Sequence, residues 1–240
     1  MASDRPEKYE KLIINGKRND GRQLDELRPV KIEVGIIPSA DGSAYIEIGN
    51  TKVLAAVHGP REQFPRRFVD EDKAVLNVRY AMLPFSVSDR ARPGPNRRST
   101  EISKVSKHAL ESVIFLEEFP SMGIDLTLDV IQADAGTRAT AITAGSVALA
   151  HAGIPMRGLV AATAVGKIDG KLALDLNGPE DNYGETDMPI ALVSTNDEIT
   201  LLQMDGELTE EEFKKAITIA KKNMHVIFDA QKKALKKHYE

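Results

Sequence analysis

The sequence predicts an α/β protein of the α+β kind, with helices packed on a mixed sheet. Three observations lead there. Short β-rich runs separated by turn residues open the chain, amphipathic segments of helical period follow at its middle and its end, and between them lies a run of small apolar residues long enough for a buried helix. With 240 residues, 42% of them hydrophobic and 28% charged, the chain can enclose one good-sized core, and no low-complexity linker divides it. A single domain over 1–240 is expected, with an N-terminal extension over about 1–28.

The segments 30–37, 43–49 and 52–57 are β-rich and separated by "SADG" and "GNTK", which predicts a meander of antiparallel strands. A further strand is expected over 74–83. Ile102, Val105, Ala109, Val113 and Leu116 recur at three- and four-residue spacing, so an amphipathic helix is expected to open at "NRRST" and stop before Pro120. Strict alternation in "IDLTLDVIQ" predicts a strand over 124–132. A helix over 138–152 follows, ended by Gly153 and Pro155; its small apolar residues on every side predict burial on several faces. Strands are expected over 159–166, 190–194 and 198–204. The last helix begins near Glu210, where Thr209 and Glu212 have capping-box spacing and Phe213, Ile217, Ala220, Met224 and Ile227 form one apolar stripe.

Composition narrows the function classes. A net charge of −4 argues against indiscriminate nucleic-acid binding. The absence of cysteine excludes disulfides and thiolate zinc sites, and with no signal-like leader a cytoplasmic protein is expected. No apolar run is long enough for a membrane span. The common phosphate-loop, dinucleotide, zinc-protease and serine-hydrolase motifs are missing, and the five scattered histidines lack ligand spacing. Charge is nevertheless patterned. "RARPGPNRR" and "REQFPRR" are arginine-rich, whereas "EDNYGETD" carries acids and no base. Solvated loops would account for such patches, and so would an anion-handling site beside a carboxylate cluster.

Two helices break a charge rule at the same end. Helix N-termini favour acids, yet one helix opens with Arg97 and Arg98 and the other with "GTR", which puts Arg138 on its first turn. An anion resolves both conflicts, since helix-start N–H groups and arginine forks bind phosphate. Gly136 would let backbone approach closely, and Thr137 would cap the helix or offer its hydroxyl to the ligand. The plainer alternative for Arg138 is an ion pair with an acid such as Asp134. On the anion reading, Arg138 is electrostatically frustrated when no anion is bound.

Four motifs in order then carry a resemblance. "RNDGRQLDELRP", "RRS" at Arg97 to Ser99, "ADAGTRATA" and "DLNGPEDNYGETDMPI" resemble the signatures of the ribonuclease PH family, and "HGPREQFPRR" is similar to its archaeal exosome catalytic branch. The resemblance implies the ribosomal protein S5 domain 2-like fold and phosphorolysis of RNA from the 3′ end, with nucleotide addition as the reverse reaction. It implies inorganic phosphate as co-substrate and Mg²⁺ as the metal. The implied partners are single-stranded RNA, an inactive paralogue completing a six-membered ring of three heterodimers, and cap subunits with RNA-binding domains. A stand-alone ribonuclease PH trimming tRNA ends and a non-catalytic ring subunit are the alternatives.

By the same resemblance, Gly136, Thr137 and Arg138 hold the attacking phosphate and Arg98 holds phosphates at the RNA end. Arg97 and Ser99 assist Arg98, and Arg66 and Arg67 grip the RNA backbone at the channel entrance. Asp181 and Asp187 match the two acidic positions, as catalytic acid and metal ligands. They lie in a glycine-containing loop entering a strand, where a turn at 182–184 would bring them together. Crowding by Glu180 and Glu185 would raise one carboxyl toward the range of a general acid, although both glutamates are more simply exposed.

Overall fold

The computed structural model describes Pro6 and residues 9–240. Residues 1–5, 7 and 8 of the expected N-terminal extension lie outside the described residues. A small antiparallel pair, β1 (Ile13–Ile14) and β2 (Lys17–Arg18), comes first. Then β3 (Val30–Val34), β4 (Gly42–Ile48) and β5 (Thr51–Glu62) form the expected meander. β6 (Val75–Met82) and β7 (Met122–Gln132) complete a five-stranded sheet of order β3-β4-β5-β7-β6, in which β6 and β7 run parallel. A parallel pair needs a crossover, and α1 (Arg97–Glu111) supplies it.

The second sheet is wholly antiparallel. It comprises β8 (Val160–Ile168), β9 (Lys171–Leu174), β10 (Thr186–Val193) and β11 (Ile199–Leu202) in the order β11-β10-β8-β9, with the short β12 (Asp205–Gly206) also paired to β10. α2 (Thr137–His151) packs against strands of both sheets. Its small residues make that possible. A Cβ at Gly145 would come within 3.0–3.3 Å of Leu126, Leu110 and Leu128, and one at Gly42 would meet the Ala148 carbonyl oxygen at 2.2 Å. The buried hydroxyls of Thr143 and Ser146 accept from the backbone N–H groups of Ala162 and Val160 at 3.0 and 2.8 Å, so α2 bonds to β8 as well as packing on it. One apolar core lies between the first sheet, α1 and α2; another lies between β8, β10 and the long α4 (Glu210–Tyr239).

Several expected boundaries differ: β10 begins at Thr186 rather than Ile190, β3 ends at Val34 rather than Ile37, and three further departures have a visible cause. α1 stops at Glu111 rather than near Leu116 because the Val113 carbonyl accepts from Arg157 N–H at 2.8 Å and the Phe115 N–H donates to the Pro155 carbonyl at 3.1 Å. That strand-like pairing, with Ile114 opposite Met156, leaves Val113 and Ile114 buried. β5 continues past the expected end at Val57 to Glu62, with an irregularity between His58 and Arg61 where Gly59 and Pro60 lie. The third is α3 (Gly178–Tyr183), which forms where a loop was expected. The Asn177 side chain accepts from Glu180 N–H at 3.2 Å while Glu180 Oε2 accepts from Asn177 N–H at 2.9 Å, a reciprocal cap with Pro179 in the first turn.

The arginines of "RNDGRQLDELRP" are buried beneath the site. Arg18 forms a two-pronged pair with Glu180 and also donates to the carbonyls of Leu174 and Asp175. Arg28 grips both Asp175 carboxylate oxygens, at 2.7 and 2.9 Å, and donates to the Asp134 carbonyl at 2.5 Å. Asp175 itself adopts φ 54°, a left-handed conformation that this grip stabilises. Arg28 thus pins together the loop entering α2 and the loop entering α3.

Candidate active site

The starts of α1 and α2 and the end of α3 converge with β10 and β12 on one cavity of about 720 Å³. Arg98, Gly136, Thr137, Arg138, Asp181 and Asp187 all line it. Three segments separated in sequence therefore deliver the expected cations and acids to one place.

The α2 terminus is an anion site in form. Gly136 is the residue before the first turn, at φ 62°, and a Cβ there would sit 3.0 Å from an Arg28 nitrogen, so both conformation and space call for glycine. No side chain caps this helix. Its first-turn N–H groups are consequently left for a ligand. Thr137 is the first helical residue rather than the cap, and its Oγ1 lies 3.0 Å from the buried Tyr80 hydroxyl.

Arg138 corrects one expectation. Its Nη1 donates to Gln203 Oε1 at 2.6 Å and its Nη2 to Glu101 Oε2 at 3.2 Å, while Gln203 Nε2 donates to Glu101 Oε1 at 2.9 Å. It is therefore not without a protein acid, and that acid is Glu101 rather than Asp134, which accepts from Gly178 N–H and Asn50. Among the described residues, Nε of the guanidinium is buried without a partner.

The acids are held differently. Asp181 lies on α3, exposed at the cavity mouth, and Asp187 lies on β10, more deeply set. Burial, then the neighbouring charge of Asp181 and that of Asp205, pushes the Asp187 carboxyl up to about 7 against the pull of Arg138 and Arg98. The protein atoms crowded around Asp181 thin its hydration and raise it as well, although the residue still meets solvent, and Arg98, Arg138 and Arg28 oppose the rise. The crowding comes from Asp181 and Asp205, not from the glutamates expected. Glu180 is fully buried and paired to Arg18, so it is not the exposed residue of the plainer reading; Glu185 is exposed and accepts from Gly170 N–H.

Among the described residues no three histidine or acidic side chains converge on a common metal position. A magnesium ion needs fewer protein ligands than that. It takes one or two carboxylates and completes its shell with water and substrate phosphate oxygens, which suits Asp181 and Asp187 on the wall of an arginine-lined cavity.

The model of domain 1 of the 3′ exoribonuclease family matches residues 26–155, and that of its domain 2 matches 158–223. The chain belongs to this family. It is 55% identical over 235 residues to the exosome complex component Rrp41 of Thermococcus kodakarensis, covering 98% of this chain and 94% of that protein. The corresponding protein of Archaeoglobus fulgidus is 53% identical over 236 residues, covering 97% and 92%. Among solved structures, rice Rrp46 superposes with a TM-score of 0.83 at 26% identity, covering 91% of this chain and all of that one. The ribonuclease PH fold and exoribonuclease chemistry inferred from the motifs are those of the family. Among the described residues no helix is long and apolar enough to cross a membrane.

Other expected residues of the family site lie elsewhere. Arg97 is exposed and outside the cavity lining. Ser99 is buried in a reciprocal cap with Asn96, its Oγ accepting from the Asn96 N–H at 2.8 Å, and does not reach the cavity. Arg66 and Arg67 sit on a separate exposed 3₁₀ turn, Arg66–Phe68, where Arg66 pairs with Glu62 and Arg67 lies 4.8 Å over the Phe68 ring. Tyr80, Glu101, Gln203 and Asp205 were missed. For Glu101 a signal existed, since it follows Arg98 by one helical turn; Gln203 and Asp205 reach the site only through strand pairing.

Proposed function

We propose that this chain is the catalytic subunit of an archaeal exosome, a phosphate-dependent 3′-to-5′ exoribonuclease that releases nucleoside diphosphates and in reverse adds RNA tails. The observation carrying the mechanism is one cavity that joins Arg98, Arg138 and an uncapped helix start to an aspartate poised near neutrality. Joining a phosphate dianion to an anionic diester demands neutralisation above all. Arg138, the Thr137 hydroxyl and the α2 N–H groups hold the attacking phosphate. Arg98 holds the terminal phosphates of the RNA, and Arg97 with Ser99 shapes that flank. A phosphate oxygen attacks the terminal phosphorus, the bond to the 3′ oxygen breaks, and that oxygen takes the Asp187 proton as the diphosphate leaves. The alternative role for Asp187 is as a metal ligand: an ionised Asp187 with Asp181 would hold Mg²⁺, which would then supply the charge neutralisation at the leaving oxygen in place of the Asp187 proton. Arg66 and Arg67 contact RNA backbone phosphates without reading bases.

The partners follow from the same reading: an inactive ribonuclease PH-like paralogue alternating in a six-membered ring, and cap subunits carrying RNA-binding domains. The 1–240 chain acts as one unit, since both halves matched by the family models line the cavity. A cysteine-free RNA-processing protein fits the cytoplasm. With its ring partner, the protein should shorten single-stranded RNA only when phosphate is supplied, yielding nucleoside diphosphates. Monophosphate products formed without phosphate would overturn the mechanism, and full activity of a homohexamer would reassign the protein to stand-alone ribonuclease PH.

A further inference from the structure

Arg138 is held at one edge of its guanidinium. Nη1 and Nη2 each donate to a different side chain, and those side chains, Gln203 and Glu101, are hydrogen-bonded to each other, so the three groups close a ring. Each comes from a different element. Glu101 belongs to α1, Arg138 to α2, and Gln203 follows β11, where its own N–H donates to the Pro189 carbonyl at 3.1 Å. Nε gains nothing from the arrangement, since it is buried with neither protein partner nor solvent. An unsatisfied buried donor is disfavoured, so left alone the guanidinium would turn until Nε met water. The bonds to Gln203 and Glu101 oppose that turn.

We propose that Glu101 and Gln203 are positioning residues for phosphate, holding Arg138 by one edge where it lines the cavity. This rests on the phosphorolytic reading of the site. A carboxylate alone at this position would neutralise Arg138 and compete with the incoming anion. Here Glu101 shares its charge with a Gln203 N–H as well as with Arg138, which weakens that competition while preserving orientation. Neither residue contacts substrate in this scheme, and both act through Arg138.

The test uses the full chain reconstituted with its ring partner, comparing wild type with Glu101→Gln, Gln203→Leu and the exchanged pair Glu101→Gln with Gln203→Glu. Each single variant should raise the phosphate KM about tenfold, as loss of one hydrogen bond to a charged group predicts, while kcat and the RNA KM stay within about twofold. The exchanged pair restores one carboxylate and one amide around Arg138 and should recover most of the phosphate affinity. Titration of inorganic phosphate into the assembly, followed as a rise in melting temperature, gives the same ranking without turnover and detects any variant that has failed to fold. An unchanged phosphate KM in both singles would overturn the proposal. So would a lowered one, which would make Glu101 a competitor. Failure of the wild type itself to form diphosphates would instead remove the phosphorolytic reading, leaving the phosphate titration to decide the role of the ring.

Discussion

Glu180 and Asp181 are neighbours in the chain, yet they belong to charge clusters of opposite character. The cluster of Glu180 joins Arg18, Arg22 and Arg28 to Asp175 and Glu180, and the Arg18 and Glu180 side chains are wholly buried. Nearly every donor there meets an oxygen: Arg18 reaches Glu180 and two carbonyls, and Arg28 reaches both oxygens of Asp175 and the Asp134 carbonyl. Across α3, the cavity brings together Arg98, Arg138, Asp181, Asp187 and Asp205 with its accounts unbalanced. Arg138 Nε lacks a partner, and Asp187 is pushed up to about 7 by burial and two neighbouring acids. The same residue types thus mark a finished structural joint in one place and a site awaiting ligand in the other. What separates them is satisfaction, not composition.

The sharpest way to break the comparison is to neutralise one acid from each cluster. Asp187→Asn removes the proton donor while leaving the fold intact, so turnover should fall by about 10²–10⁴-fold with RNA binding retained. A fully active variant, measured by diphosphate release, would take Asp187 out of the mechanism. Glu180→Gln should do the reverse. Stripping the charge from a buried partner leaves Arg18 uncompensated and costs about 3–5 kcal/mol, a fall in melting temperature of roughly 10 °C for a chain this size. Activity lost with no change in melting temperature would move Glu180 into the functional cluster.

A smaller effect follows from pH. The Asp187 carboxyl stands at about 7 in the fold against an unperturbed value of 3.8, so between those values the native state binds more protons than the unfolded one. Stability from this group is therefore present at low pH and lost as pH rises through about 7. Without divalent ions or phosphate, Asp187→Asn should be more stable than wild type at pH 8, by on the order of 2 kcal/mol once solvent in the cavity is allowed for, and should match it near pH 4. Chemical denaturation at the two pH values measures this. Equal stability at both would show that Arg98 and Arg138 already compensate the charge.

How much of this the sequence shows depends on the range of the interaction. The β3–β5 meander, α2 and the α4 cap are encoded by local periodicity and turn residues, and they form where those signals lie. The shortfall of α1 was hidden because Val113 and Leu116 keep helical spacing while Val113 and Phe115 bond to the distant 155–157 segment. α3 was locally legible in the Asn177, Pro179 and Glu180 pattern, but the acidic run invited a loop reading. Arg98, Arg138, Asp181 and Asp187 stood out by type and motif. Gln203 and Asp205 had no such mark, for Asp205 meets Asp187 only through β10–β12 pairing and Gln203 meets Arg138 only once the two sheets are assembled.

The least disruptive probe stands behind Thr137, at the edge of the cavity. Tyr80 is buried, and its N–H donates to Ser103 Oγ on α1 while its hydroxyl lies 3.0 Å from Thr137 Oγ1 at the start of α2. Burial raises its ionisation above the ordinary value despite the pull of Thr137, Arg98 and Arg138, so the phenol stays neutral and keeps its proton. A phenol is the stronger donor of the two hydroxyls. If it donates its hydrogen bond to Thr137 Oγ1, the Thr137 hydroxyl is free to donate toward the cavity that this residue lines. Tyr80→Phe should then cost about 1 kcal/mol of stability and raise the phosphate KM roughly two- to threefold, with the RNA KM unchanged. A stability loss with no movement in phosphate KM would assign the Tyr80–Thr137 bond to the finished structural joint instead of the site.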